Sequence, residues 1–199
     1  MVIKHSQFSN LYIKNQNIFN LIFDGVTNFS TLIISIEKAS SDYSRYSYID
    51  SDKMKGDLFE IFAELFIKIL GSNGQIGIGN YSPNQGEDFG VDGYGSGING
   101  QPVTIQVKYR NNPIYELLQE DIKQFPFQSI RLFNVDPFSD GDMIVFTSAK
   151  GLHWSTEKNV FCGAVRTIGF DFISTQVNNN IPFWNQVKNI INITIDENF

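Results

Sequence analysis

The stretch 86–110, GEDFGVDGYGSGINGQPVTIQVKYR, decides how the rest of the chain is read. It runs from an acidic turn through a glycine-rich connection into one clear strand. Over residues 103–110 the side chains alternate with the period of two that a strand imposes. Val103, Ile105, Val107 and Tyr109 fall on one face, and Thr104, Gln106, Lys108 and Arg110 on the other. The first face suits a core. The second carries a carboxamide and an ammonium one pleat apart. If residues 89–94 are extended, Asp88, Gly90 and Asp92 share a face, and Asp92 points the same way as Gln106 and Lys108. An anion, an oxygen donor and a cation on one sheet face can hold a divalent metal and a phosphate. Each residue also has an ordinary structural use. Asp92, between Gly90 and Gly93, can cap turn amides, and Gln106 and Lys108 can form the solvated face of an amphipathic strand. Glu87 and Asp88 read as turn and surface acids, with Asp88 the substitute if Asp92 faces away.

Upstream, residues 57–70 predict a helix with Gly71 in the C-cap position. Leu58, Ile61, Phe62, Leu65 and Ile69 make an apolar stripe. Phe59, Ala63, Phe66 and Ile67 widen it until the helix is expected to be buried on more than one side. Glu60 and Glu64 lie one turn apart, roughly opposite the stripe. They form a solvated acidic edge or, if that side is covered, they need partners; spacing does not choose between the two acids. Downstream of the acidic turn, Gly95-Ser-Gly97-Ile-Asn-Gly100 fits G-x-G-x-x-G. A dinucleotide loop of that form leads into a helix. Here a strand follows, so the loop is expected to be a hairpin connection.

Asp92 followed by Gln106-x-Lys108 on a strand resembles the PD-(D/E)xK nuclease superfamily. The glutamine in place of an acid resembles its Mrr-type restriction endonuclease branch, as does the earlier helix with Lys55-Gly56-Asp57-Leu58-Phe59-Glu60. The resemblance covers roughly residues 54–190 and is strongest over 55–70 and 86–110. It implies an α/β, restriction-endonuclease-like core, αβββαβ, with a mixed sheet flanked by helices. That core would occupy residues 51–199, after a mostly helical extension over residues 1–50. It further implies a Mg²⁺-dependent endonuclease hydrolysing phosphodiester bonds in double-stranded DNA, with Mn²⁺ as a substitute. Asp92 would be the direct metal ligand, with the Gln106 side-chain oxygen and the Val107 carbonyl as weaker ones. Lys108 would touch the attacking water or a phosphate oxygen, and Glu60 would hold an outer water. Arg110, Lys150, His153 and Lys158 are candidate phosphate contacts. Gln106 removes one negative charge, so weaker metal binding is expected than with an acid there. Two other readings follow: a non-catalytic DNA-binding module on the same fold, and a repair or junction-resolving nuclease. Two cuts in a duplex make a homodimer reasonable.

Composition sets the outer bounds. A chain of 199 residues suits one domain with an appendage, and 42% hydrophobic with 14% aromatic residues is enough for a real core. The net charge of −6 runs against the basic balance usual for nucleic-acid binding, although the local field at a site matters more than the total. The single cysteine, Cys162, excludes an internal disulfide, and its spacing to His153 fits no zinc pattern. No G-x-S-x-G elbow supports a serine nucleophile. The first residues, MVIKHSQFSN, do not read as a secretory signal. No apolar run reaches the roughly 18 residues of a membrane span. Together these predict an intracellular, cytoplasmic protein.

The remaining segments fill in a mixed sheet domain. One or two helices are expected in residues 1–50, the second within 28–39, with 40–51 as a connection. A strand over 75–81, a loop over 82–86, a helix over 115–125 and a loop over 131–142 follow. Strands over 143–147 and 165–170 precede a terminal helix over 182–191, with Phe183, Trp184, Val187 and Ile191 turned inward.

Overall fold

The structure is a computed structural model and describes residues 18–44, 50–71, 76–84, 90–136, 138 and 141–197. In chain order its elements are α1 (Ile18–Phe23), α2 (Phe29–Ser44), α3 (Ser51–Gly71), β1 (Ile78–Pro83), β2 (Gly93–Gly97), β3 (Pro102–Lys108) and β4 (Glu116–Leu117). Then come α4 (Gln119–Ile122), α5 (Gln124–Phe133), β5 (Asp142–Thr147), β6 (Gly151–Leu152), α6 (Trp154–Glu157), β7 (Arg166–Ile168), α7 (Phe170–Val177) and α8 (Ile181–Glu197). The chain divides into two compact units, one of residues 1–65 with 172–199, the other of residues 66–171. That is a different cut from the expected one at residue 50: the C-terminal helices join the N-terminal ones.

The first unit is helical and aromatic. Phe29 stacks on Phe62 at 5.5 Å, and Phe62 on Trp184 at 6.2 Å. The Trp184 indole N–H is not wasted in this core, since it donates to the Val177 carbonyl at 2.8 Å. Helix ends leave N–H groups without intrahelical partners, and asparagines supply them. Asn28 Oδ1 accepts from Thr31 N at 2.8 Å. Asn178 Oδ1 accepts from Phe29 N at 2.8 Å, and Asn180 Oδ1 from Phe183 N at 3.1 Å. Asn179 takes the left-handed region, φ 57°, and its N–H donates to the Thr27 carbonyl. The three consecutive asparagines therefore tie the start of α2 to the start of α8.

The expected helix at 57–70 exists and begins earlier, at Ser51, where Asp50 Oδ1 accepts from Asp52 N at 2.8 Å. From Leu58 to Ile67 every residue except Glu60 is buried, as the wide apolar stripe required. Glu64 is 0% exposed, so a solvated acidic edge is not what is found there.

The second unit is a five-stranded mixed sheet flanked by helices, in the order β1-β2-β3-β5-β7. β1, β2 and β3 pair antiparallel; β5 runs parallel to β3, and β7 parallel to β5. Glycines 95–100 form the expected hairpin connection: Gly97 N donates to the Gln101 carbonyl at 2.8 Å, and Gly100 takes φ 83°. β3 departs from the expectation of one solvated face. Val103, Thr104, Ile105, Gln106 and Val107 are all buried. In the parallel register Val107 lies beside Phe146, whose ring meets Phe66 edge-on at 5.2 Å. On the other face Thr104 lies beside Met143 and Gln106 beside Val145. That face is covered by α5, where Ser129 Oγ accepts from Thr104 Oγ1 at 2.8 Å. Its core includes Val91, Phe125, Met143, Val145 and Cys162. Burial pushes the Cys162 thiol up.

Several expected elements shift. The predicted helix over 115–125 breaks up because Leu117 pairs with Leu152 in a small parallel ladder. Leu118 is then extended at ψ 164°, and Asp121 Oδ2 accepts its N–H at 2.8 Å. α5 runs through Phe133 and stops at Asn134, φ 52°, which shortens the loop expected over 131–142. The strand expected over 165–170 ends at Ile168, and residue 170 opens α7, a helix the sequence did not announce. Residues 45–49 and 72–75 lie outside the described residues, and α2 extends five residues beyond the 39 expected, to Ser44. No helix of the described residues is long and apolar enough to cross a membrane.

Candidate metal and phosphate site

The Val91-Asp92 segment is pinned before it meets β3. Asn84 Nδ2 donates to the Val91 carbonyl at 2.8 Å, and Asn84 N donates to the Asp92 carbonyl at 2.9 Å. Asp92 N donates to the Ile105 carbonyl at 2.9 Å. Asp92 Oδ2 then accepts from Val107 N at 2.6 Å. Backbone N–H groups of a strand lie in the plane of the sheet. The carboxylate therefore sits at the open margin of β3, one step beyond the end of β2, where a further strand residue would have paired. This amends the expectation that Asp92 stands over the same face as Gln106 and Lys108. It reaches that tripeptide from the side, and the cap-like use of its carboxylate and its nearness to residues 106–108 hold together. Gly90 at φ 77° also breaks the uniformly extended run assumed for residues 89–94. Glu87 and Asp88 lie outside the described residues.

Within a strand the N–H and C=O of one residue point to the same side. The Val107 carbonyl thus faces the margin where Asp92 sits. The Lys108 carbonyl faces the other way and accepts from Thr147 Oγ1 at 2.7 Å.

Gln106 is 3% exposed. Its Oε1 has no hydrogen-bond partner among the described residues. Its Nε2 lies against Gly90: a Cβ added to Gly90 would stand 3.1 Å from it. A buried amide oxygen left without a donor costs about 1–3 kcal/mol, so each such atom in a folded protein asks for a reason. Lys108, two residues on and on the same face, is half-buried and has no ion pair among the described residues.

The other predicted residues are placed elsewhere. Glu60, half-buried, and Glu64 belong to the helical unit. The candidate phosphate contacts are largely engaged by neighbours. Arg110 Nη2 meets Asp121 Oδ1 at 2.5 Å, and its guanidinium lies 5.7 Å from the Tyr115 ring centre. Burial alone would raise the Asp121 carboxyl. The Leu118 N–H, the Arg110 guanidinium and the Tyr115 hydroxyl outweigh it and hold the group below the usual carboxylate range. Lys150 Nζ meets Glu116 Oε1 at 2.8 Å; that contact lowers the acid and raises the amine. His153 caps α6, with Nδ1 accepting from Ser155 N at 3.2 Å, which puts the ring proton of a neutral imidazole on Nε2. Lys158 Nζ sits 4.4 Å above the half-exposed Trp154 ring.

Sequence reasoning missed the partners Asp121 and Glu116, since opposite charges that meet through tertiary folding leave no local pattern. It also missed Gly90 as the neighbour of Gln106. A glycine just before the candidate acid was the one available signal. The candidate donors are one carboxylate at the β3 margin, one carboxamide oxygen buried on the adjacent face and one carbonyl oxygen. Among the described residues no group of three or more His, Cys, Asp and Glu gathers to hold a metal. Hard oxygens with few charges still suit Mg²⁺, which keeps several of its own waters, and the orphaned Gln106 Oε1 is the atom such an ion would satisfy. No family model matches the chain, and no curated protein matches it.

Proposed function

We propose that the chain is a Mg²⁺-dependent DNA endonuclease built on a restriction-endonuclease-like core. The single observation behind this is the carboxylate of Asp92, drawn onto Val107 N, the residue next to Gln106, whose buried side-chain oxygen has no partner among the described residues. Lys108 follows on the same face. With the two-residue β4 set aside, since it pairs only with β6 outside the five-stranded sheet, the order from α3 to β5 is helix, three strands, helices, strand, with β5 parallel to β3, and that order supports the same reading.

Asp92, the Gln106 side-chain oxygen and the Val107 carbonyl would hold Mg²⁺. When bound, the ion neutralises phosphate charge and makes a water acidic enough to attack at neutral pH. The chain's own residues do the rest. The Val107 N–H fixes one Asp92 oxygen in place, so the carboxylate is preorganised and need not be ordered when a ligand arrives. Lys108 donates from its ammonium to a phosphate oxygen or to the attacking water. The apolar surround of Val91, Val145 and Phe125 keeps bulk water from the buried side of Gln106, which strengthens each charge interaction there. Duplex DNA is the substrate, and a homodimer matches a cut in each strand.

The test is supercoiled plasmid incubated with and without Mg²⁺, beside Lys108→Ala. Wild type should nick or linearise the plasmid only with the metal. Lys108→Ala should lose about a hundredfold to a thousandfold in rate, the loss seen when one preorganised charge-stabilising donor is removed. Unchanged cleavage by Lys108→Ala, or none by wild type in either Mg²⁺ or Mn²⁺, would sink the proposal. A second reading, a DNA-binding module without catalysis, is favoured by one feature. Gln106 stands where the resembled family has an acid. DNA retention without nicking in either metal is its signature.

A further inference from the structure

We infer that Gly90 is the positioning residue for Gln106, and that it makes the carboxamide present its oxygen rather than its N–H to a ligand. The inference rests on the metal site proposed above. A carboxamide has an acceptor end and a donor end, so fixing one fixes the other. In Gln106 the donor end, Nε2, rests against Gly90, and the acceptor end, Oε1, is buried without a hydrogen-bond partner among the described residues. A Cβ at residue 90 would meet that nitrogen at 3.1 Å and, apart from its chain neighbours, nothing else within 4 Å among the described residues. Any side chain at this position therefore pushes first on the Gln106 amide. The push falls on a side chain that is 3% exposed and flanked by Val145 in the ladder, so it has little room to yield without turning.

Gly90 also stands two residues before Asp92 in a pinned segment. Asn84 holds the Val91 and Asp92 carbonyls, and Asp92 holds the Ile105 carbonyl and the Val107 N–H. Residues 90–92 thus set both candidate oxygens at once, the carboxylate by hydrogen bonds and the carboxamide by the absence of a side chain. An acceptor end facing the ligand beside a carboxylate selects a hard cation. Turned over, the same amide would offer N–H donors, which suit an anion and oppose a cation.

Gly90 has a positive φ of 77°, so a substitution there strains the backbone as well as pressing on Gln106. Gly100 separates the two effects. Its φ is 83°, and a Cβ built there meets nothing within 4 Å among the described residues, its chain neighbours apart. The experiment uses the full chain without DNA. Mn²⁺ affinity is read from the paramagnetic signal of the free ion in wild type, Gly90→Ala, Gly100→Ala, Gln106→Ala and the Gly90→Ala/Gln106→Ala pair. Thermal melting records the strain, and the Gln106 side-chain amide resonance reports its orientation. Gly90→Ala should weaken Mn²⁺ binding about 10- to 100-fold, the usual effect of disturbing a group that orients a metal ligand. Gly100→Ala should melt lower but bind as wild type. The pair should be no weaker than Gln106→Ala alone, because residue 90 acts through residue 106. If Gly90→Ala fails to fold, Gly90→Asn carries the same Cβ on a residue that tolerates positive φ, and the same outcomes apply.

Wild-type affinity in Gly90→Ala, equal losses in the two glycine variants, or additive losses in the pair would each overturn the inference. If wild type binds no Mn²⁺, the nuclease reading falls by itself. The Gln106 amide resonance then decides: it must move in Gly90→Ala and stay in Gly100→Ala, and if it does not, the role of Gly90 falls too.

Discussion

The asparagine corner at residues 178–180 and the β3 margin at residues 92–108 are both polar clusters where elements end. They use the same chemistry to opposite effect. At the corner the side-chain oxygens of Asn178 and Asn180 are consumed by Phe29 N and Phe183 N. At the margin one Asp92 oxygen is consumed by Val107 N, while Gln106 Oε1 is buried with no donor among the described residues. The helical unit also buries one oxygen of the Glu64 carboxylate, Oε2, on a residue that has other interactions, and two hydroxyls, Ser40 Oγ and Ser174 Oγ, in that condition. Both hydroxyls sit on helices, where a hydroxyl turns readily toward a carbonyl of the preceding turn. A carboxamide oxygen wedged in a strand has no such outlet. An amide whose acceptor is used up inside the chain is structural; one whose acceptor is left over keeps the capacity to take a donor or a cation.

The contrast breaks most visibly at Asp92. Asp92→Asn keeps an oxygen for Val107 N and removes the charge. Its urea midpoint should stay close to wild type while Mg²⁺-dependent plasmid cleavage falls on the order of a thousandfold. Asp92→Ala should lose the cleavage and, in addition, about 1–3 kcal/mol of stability, because Val107 N is left without its acceptor. Equal stability of the two variants would show that the carboxylate–amide bond contributes nothing.

A smaller effect, with the signs exchanged, is expected at the corner. Asn178→Ala should cost about 1–3 kcal/mol in urea unfolding through the orphaned Phe29 N–H, with plasmid cleavage per folded molecule unchanged. A loss of cleavage there would mean the two clusters are not separate in function.

The smallest effect concerns Arg110 and Asp121. The Asp121 carboxyl titrates below its ordinary range in the folded state. Its contribution is therefore complete above the unfolded value and is lost as pH falls through the folded one. The urea midpoint of wild type should exceed that of Asp121→Asn at pH 7, and the gap should close as pH drops below about 4. A gap that widens in acid would reverse the assigned direction.

Much of the frame was legible in residues. The buried helix over 58–70 could be read because nine of its apolar positions crowd the circumference. β3 could be read from strict alternation, and the G-x-G-x-x-G loop from the strand that follows it. What alternation could not show is whether a polar face meets water. Thr104 and Gln106 look solvated by pattern, and α5 covers them. Leu117 looked helical because Leu118, Ile122 and Phe125 fit a helical spacing with it, and a two-residue ladder with Leu152 took it instead. In the candidate site the residue types and their order were legible, but the direction from which Asp92 arrives was not. That direction is set by Asn84 and by the positive φ of Gly90, neither of which has a spacing signature.

Cys162 gives the sheet unit a built-in clock. It is the only thiol in the chain, lies 3% exposed in the cluster behind β5, and is held in its unreactive protonated form by burial. It also borders a cavity that Phe127, Ile130 and Phe161 line, so the rate of a one-site colour reaction with a disulfide reagent measures how readily that side of the sheet unit admits a small molecule.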